Sequence, residues 1–168
     1  MRPPASFEPG RILEALNRHG VDFVLIGGMA GVAHGSSYPS YDVDVAYARD
    51  RQNLERLAAA LAELGATPRD APADLPFLLD ARTLAQGANF TFDTSYGALD
   101  ILSDPAGAPS SAELRRSAGA RVEIEGLAIL VASLDHLIAM KEAAGRPKDI
   151  LMASEYRVIS DELRARER

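Results

Sequence analysis

Val21-Asp22-Phe23-Val24-Leu25-Ile26-Gly27-Gly28, followed after thirteen intervening residues by Asp42-Val43-Asp44-Val45, couples a glycine turn to two carboxylates on one strand. Residues 21–26 are largely apolar and β-branched and read as a strand. The strand stops at Gly27-Gly28 and gives way to the small-residue run Met29-Ala30-Gly31-Val32-Ala33-His34-Gly35, a strand, turn, helix unit. Glycines at such a turn let the backbone approach a ligand closely, and the N–H groups opening the helix can receive phosphate oxygens. In the second segment, side chains alternate between faces, so Asp42 and Asp44 project one way while Val43 and Val45 face the other. Two carboxylates about 6.5 Å apart along a strand repel each other unless hard divalent cations lie between them. A pair of such ions about 3.5–4 Å apart forms the clamp used for in-line displacement at phosphorus.

Asp100 is the next carboxylate of interest. It sits within Leu99-Asp100-Ile101-Leu102, where an acid among apolar neighbours must be paired, hydrated or metal-bound. Asp93 and Asp104 are its rivals. Asp93 precedes the turn Thr94-Ser95-Tyr96-Gly97, and Asp104-Pro105 marks a chain reversal where Asp bonds locally.

Composition narrows the class. With 168 residues, 47% hydrophobic and 25% charged, the chain is sized for one domain, residues 1–168, with a real core. Cysteine is absent, which removes disulfides and thiolate ligands, so a bound metal would be oxygen-ligated. No apolar run reaches membrane-spanning length, and Met1-Arg2-Pro3-Pro4 lacks the apolar stretch of a signal peptide; a cytoplasmic protein without a membrane partner is expected. The formal charge of −6 argues against a broad nucleic-acid-binding face.

The remaining sequence supplies the frame. Phe7 to His19 reads as a helix ended by Gly20, and Arg51 to Leu64 as an amphipathic helix with Leu54, Leu57, Leu61 and Leu64 inward and Gly65 as its stop. Ala66 to Pro76 holds three prolines and reads as an irregular loop that covers the site, followed by a short helix from Asp80 to Gln86. Asn89 to Asp93 and Ala98 to Leu102 form a hairpin, and Arg121 to Glu125 and Leu127 to Val131 form strands around Gly126. Ser133 caps a helix from Leu134 to Ala144 that carries Lys141 at the margin of its apolar face. Arg146-Pro147-Lys148-Asp149 opens a last helix, where two cations at an N-terminus favour a bound anion. Its tail, Glu155 to Arg168, shows Val158, Ile159 and Leu163 as an apolar stripe packing at an edge.

Ile26-Gly27-Gly28 with Asp42-Val43-Asp44-Val45 resembles the signature of the DNA polymerase β-like nucleotidyltransferase superfamily. Gly27-Gly28-Met29-Ala30, His34-Gly35 and Ser40-Tyr41-Asp42-Val43-Asp44 look most like the small bacterial AbiEii-type, toxin-like members. The resemblance implies an α+β nucleotidyltransferase fold, a small mixed β-sheet flanked by helices. It also implies a metal-dependent enzyme that moves an NMP from an NTP such as ATP to an acceptor hydroxyl with two Mg2+ ions, Mn2+ being an alternative. The acceptor would be an RNA 3′ end, a protein side chain or a small molecule, and a toxin role would bring an antitoxin as partner. By the same resemblance, Asp42, Asp44 and Asp100 are the catalytic and metal-binding residues, and Gly27, Gly28, Ser40, Lys141, Arg146 and Lys148 contact the nucleotide. Tyr38, Gly28 and Met152 depart from the pattern and support the alternative of a catalytically inactive binding module with the same fold. Tyr38, Tyr41, Phe90 and Tyr96 are the aromatic candidates for contact with a base.

Overall fold

Each apolar period in the chain becomes an element with one buried side. The computed structural model describes residues 6–69, 71, 72, 74, 76–118 and 121–168. Helix α1 (Pro9–Arg18) starts on a proline, whose missing N–H costs nothing there, and buries Ile12, Leu13, Ala15 and Leu16. Strand β1 (Phe23–Ile26) is buried along its whole length and runs straight into α2 (Gly27–Ala33). Gly27 is therefore the first helical residue rather than part of a separate turn. Strand β2 (Asp42–Tyr47) alternates as its sequence demands, with Val43 and Val45 fully buried and Asp42 and Asp44 partly buried.

Helix α3 (Arg51–Glu63) is capped by Asp50, whose carboxylate accepts from the Asn53 N–H at 3.1 Å, and Leu54, Leu57, Leu61 and Leu64 are all buried. A two-residue strand, β3 (Thr67–Pro68), follows inside the segment expected to be irregular. It is an edge strand, the place in a sheet where a proline is tolerated. Asp70, Ala73 and Leu75 of that segment, like Met1 to Ala5, lie outside the described residues. Helix α4 (Ala81–Gln86) is capped by Asp80, and β4 (Asn89–Thr94) and β5 (Gly97–Leu102) form the expected hairpin.

A short helix, α5 (Ser111–Ser117), stands where no element was expected. Its cap is Ser110, which accepts from the Glu113 N–H at 3.3 Å, and Leu114 is its fully buried anchor. Strands β6 (Val122–Ile124) and β7 (Leu127–Ile129) make a separate two-stranded ribbon. Helix α6 (Leu134–Ala144) begins at Ser133, whose hydroxyl accepts from the His136 N–H at 3.2 Å, and ends at left-handed Gly145. The last helix, α7 (Pro147–Arg166), buries Asp149, Met152, Ala153, Tyr156 and Ser160. The expected apolar stripe is corrected here. Ile159 packs against the core, but Val158 and Leu163 are exposed, because the buried face of α7 runs through Met152 and Tyr156 and ends at Ser160.

The main sheet has the order β1-β2-β5-β4-β3, with β2 and β5 parallel and the other neighbours antiparallel. In the parallel pair Asp44 lies opposite Asp100, so both carboxylates leave the same face, while Val45 and Ile101 enter the core on the other. That core draws Leu13 and Leu16 from α1 and Leu57 and Leu61 from α3. Segment 130–132 extends the β1 side of the sheet: Leu25 donates to the Leu130 carbonyl at 2.8 Å, and Ala132 donates to the Leu25 carbonyl at 3.0 Å. His34 at the end of α2 contacts the Ala132 carbonyl through Nε2 at 2.8 Å, tying α2 to the entry of α6. Among the described residues, no helix is long and apolar enough to cross a membrane.

Candidate active site

The parallel pairing gathers three acids that are far apart in the chain. Asp42, Asp44 and Asp100 each offer a carboxylate oxygen, and these oxygens lie within 4.8 Å of one another. The set is oxygen-only, partly buried and anionic, which fits hard divalent cations such as Mg2+ or Mn2+. The electrostatics agree. Burial, then the neighbouring charges of Asp42 and Asp100 and a hydrogen bond to Asp100, push the Asp44 carboxyl up to about 8, with Lys141 opposing. Burial likewise raises Asp100, against the pull of the Arg69 guanidinium.

Arg69 was not among the residues singled out from sequence. It follows β3 and donates through Nη2 to Asp100 Oδ1 at 3.0 Å and to the Phe92 carbonyl at 2.8 Å, and through Nε to Asp93 at 3.2 Å. The loop expected over the site thus places one residue at the triad. The rivals separate cleanly from Asp100. Asp93 points outward to this arginine with a side chain 63% exposed, and Asp104 is exposed beyond the strand.

Gly27 has φ +71°, and a Cβ there would collide with the Asp44 carboxylate. The backbone opening α2 therefore presses directly on the central acid of the triad. Gly27→Ala suffers both the left-handed backbone and this collision. We expect it to cost at least about 2 kcal/mol, a fall in Tm of about 4–8 °C, measured by thermal unfolding. At Gly28 a Cβ would meet the Ser40 hydroxyl at 3.1 Å. Ser40 so places a hydroxyl beside position 28. Its Oγ donates to the Asp42 carbonyl at 3.1 Å and lies 3.4 Å from Asp42 Oδ1.

The cationic side is built around Asp149. This residue is 1% exposed, and its Oδ2 accepts from the Arg146 Nε at 2.7 Å and from the Arg146 N–H at 3.3 Å, so the carboxylate reaches back to the backbone that opens α7. Lys141 Nζ lies 3.5 Å from Oδ1. The Arg146 hydrogen bond, helped by Lys141, holds the Asp149 carboxyl below the usual carboxylate range despite its burial. In the sequence Asp149 stands out only as the last member of Arg146-Pro147-Lys148-Asp149. Its position three residues past the cap of a helix was the available signal for this role.

Two cavities meet at these groups. One, about 680 Å³, is polar and is lined by Gly28, Ser40, Tyr41, Asp42 and Lys148. The other, about 280 Å³, is mostly apolar and is bounded by Phe90, Ile101, Leu102, Leu137 and Met140, with Asp100 opening into it. Asp44, Lys141, Arg146 and Asp149 stand on the boundary and line both. Of the aromatic candidates, Tyr41 and Phe90 line a cavity. Tyr38 packs on the core, and Tyr96 lies against α1 with the Arg11 guanidinium 5.9 Å from its ring centre.

A mixed five-stranded sheet of this order, with helices on both faces, is the nucleotidyltransferase fold, as the motif resemblance implied. The likeness extends to particular solved structures. LnuA, a lincosamide antibiotic adenylyltransferase in its lincomycin-bound form, matches with a TM-score of 0.61 at 14% identity, over 92% of this chain and 99% of that one. ANT(2″)-Ia in complex with adenylyl-2″-tobramycin matches with a TM-score of 0.56 at 18% identity, over 95% and 97%. TM1012 from Thermotoga maritima matches with a TM-score of 0.54 at 15% identity, over 94% and 97%. At these identities the likeness is one of fold. No family model matches the chain, and no curated protein matches it by sequence.

Proposed function

We propose that this chain is a single-domain, cytoplasmic, metal-dependent nucleotidyltransferase that moves an NMP from an NTP to an acceptor hydroxyl. The observation that carries the reading is the convergence of Asp42, Asp44 and Asp100 beside Gly27 within this fold. The three carboxylates would hold two divalent ions, Mg2+ or Mn2+, which when bound neutralise the phosphates and the leaving pyrophosphate.

The chain's own groups have distinct tasks. Gly28 and Ser40 line the polar cavity and Gly27 the adjoining one, and the N–H groups that open α2 with the Ser40 hydroxyl suit phosphate oxygens. Lys141, Arg146 and Lys148 supply positive charge along the same cavity. Asp100 takes the proton of the attacking hydroxyl as the new oxygen–phosphorus bond forms at the α-phosphate and the bond to the β-phosphate breaks. The motif resemblance supports an AbiEii-type toxin with an antitoxin partner. Two of the solved neighbours act on antibiotics, which supports a small-molecule acceptor.

Asp42→Asn combined with Asp44→Asn is expected to yield a folded protein whose transfer of radiolabelled NMP to components of cell extract drops to background, a loss of about 10³-fold or more. Unchanged labelling by this variant would sink the assignment. The Arg69–Asp100 ion pair favours one second reading, a binding module whose third acid is tied up. That reading predicts Mg2+-dependent thermal stabilisation by NTPs with no pyrophosphate release in extract.

A further inference from the structure

We propose that the acceptor is an uncharged or weakly charged amphipathic alcohol, whose apolar body of about one ring enters the cavity between β5 and α6. The inference rests on the transferase reading above and deepens it.

Asp100, the carboxylate assigned the hydroxyl proton, opens into the apolar cavity, whereas Asp42, Gly28, Ser40 and Lys148 line the polar one. The two substrates are thus sorted. The triphosphate belongs with Gly28, Ser40 and Lys148, and the attacking hydroxyl comes from the Leu102 side.

The rings of Phe90 and Phe92, paired across the hairpin with Ile101 and Leu99, pack with Phe77 on the core face of the sheet and leave the slot to other residues. On the Asp100 face, Leu102 of β5 with Leu137 and Met140 of α6 forms an apolar slot. At about 280 Å³ it falls just below the ~300–1,000 Å³ range of pockets for drug-sized ligands, which limits the apolar body to about one ring.

The charges decide between acceptor classes. A polycationic acceptor needs carboxylates without partners. Here Asp149 is paired with Lys141 and Arg146, and Asp100 with Arg69, leaving Asp44, which belongs to the metal triad. Lys141 and Arg146 on the boundary would further repel a polyamine.

The test uses the full chain with MgCl2 and each of the four common NTPs. Phenylethyl glucoside, methyl glucoside and tobramycin serve as acceptor probes, and products are read by mass spectrometry. The phenylethyl compound is expected to be labelled at least tenfold faster than the other two. Ala144→Phe, at the exposed end of α6 beside the slot, should slow that labelling about tenfold. It should leave the NTP-dependent thermal shift unchanged. Faster labelling of tobramycin, equal labelling of the two glucosides, or no labelling of any probe alongside NTP-dependent labelling of extract would overturn the acceptor class while leaving the transferase reading intact. An NTP shift lost in Ala144→Phe would overturn it too, by placing the nucleobase in the slot. Absence of both NTP binding and extract labelling in the unmodified protein would overturn the transferase reading itself.

Discussion

Asp44→Asn is expected to make the metal-free protein more stable at pH 8 while ending the nucleotidyl transfer proposed for it. In the folded chain Asp44 holds its proton up to about pH 8, against an ordinary value of 3.8, because burial and the charges of Asp42 and Asp100 penalise its ionised form. The folded state therefore binds more protons than the unfolded state across that interval, so stability falls as pH rises from about 4 to about 8. Asn cannot ionise and removes the penalty. With the protein in chelator, the variant should converge on the unmodified chain near pH 4 and exceed it at pH 8.5 by at least about 2 kcal/mol, or about 5 °C in Tm. Divalent ions compete with the same proton, so Mg2+ should stabilise the unmodified chain more at pH 8 than at pH 6 and leave the variant unmoved. A variant whose Tm falls in parallel with the unmodified chain across this range would show that Asp44 is not the strained group. Stability surrendered at a reactive centre in this way is a familiar compromise between function and folding.

Asp149→Ala should do the opposite. Its carboxylate is buried with Arg146 and Lys141 around it and titrates below the usual carboxylate range, so its contribution is present at neutral pH and fades as pH falls through its folded value. Removing it leaves Lys141 without its anion and the Arg146 N–H at the start of α7 without its acceptor. Arg146 is largely solvated, which discounts its share, and a net cost of about 2–3 kcal/mol is expected at pH 7, a fall of about 5–10 °C. The gap between variant and unmodified chain should narrow in acid, where both lack the charge. NTP affinity should fall at least about tenfold, because Lys141 loses the partner that fixes it. Asp149→Asn keeps the shape and part of the cap. It should recover part of the stability but little of the affinity, which separates fixing the lysine from merely holding the helix.

The nucleotidyltransferase fold was legible because its marks are local. Strand alternation puts Asp42 and Asp44 on one face, and the small residues after Ile26 require a tight entry into a helix. The hairpin carrying Asp100 was legible for the same reason. What escaped depends on neighbours distant in the chain. Arg69 reads as one more charged loop residue until β3 pairs with β4 and brings it to Asp93 and Asp100. Helix α5 offers one buried apolar residue, Leu114, too little for a helical period to show. Val158 and Leu163 have the spacing of a buried stripe, but burial needs a surface to meet, and the burial of α7 stops at Ser160.

The pairing of Asp44 with Asp100 across two parallel strands has a consequence for assembly of the molecule. A slip of one residue between β2 and β5 would turn one of these carboxylates to the opposite side, leaving most of the backbone ladder intact and the chemistry absent. Strands in parallel cannot be joined by a tight turn, so this pair closes after the intervening chain has been laid down, and contacts of such long sequence separation form slowly. The metal-dependent turnover proposed for this chain should accordingly be the last property regained on refolding, trailing the recovery of helical signal, and would serve as a stringent clock for arrival at the native register.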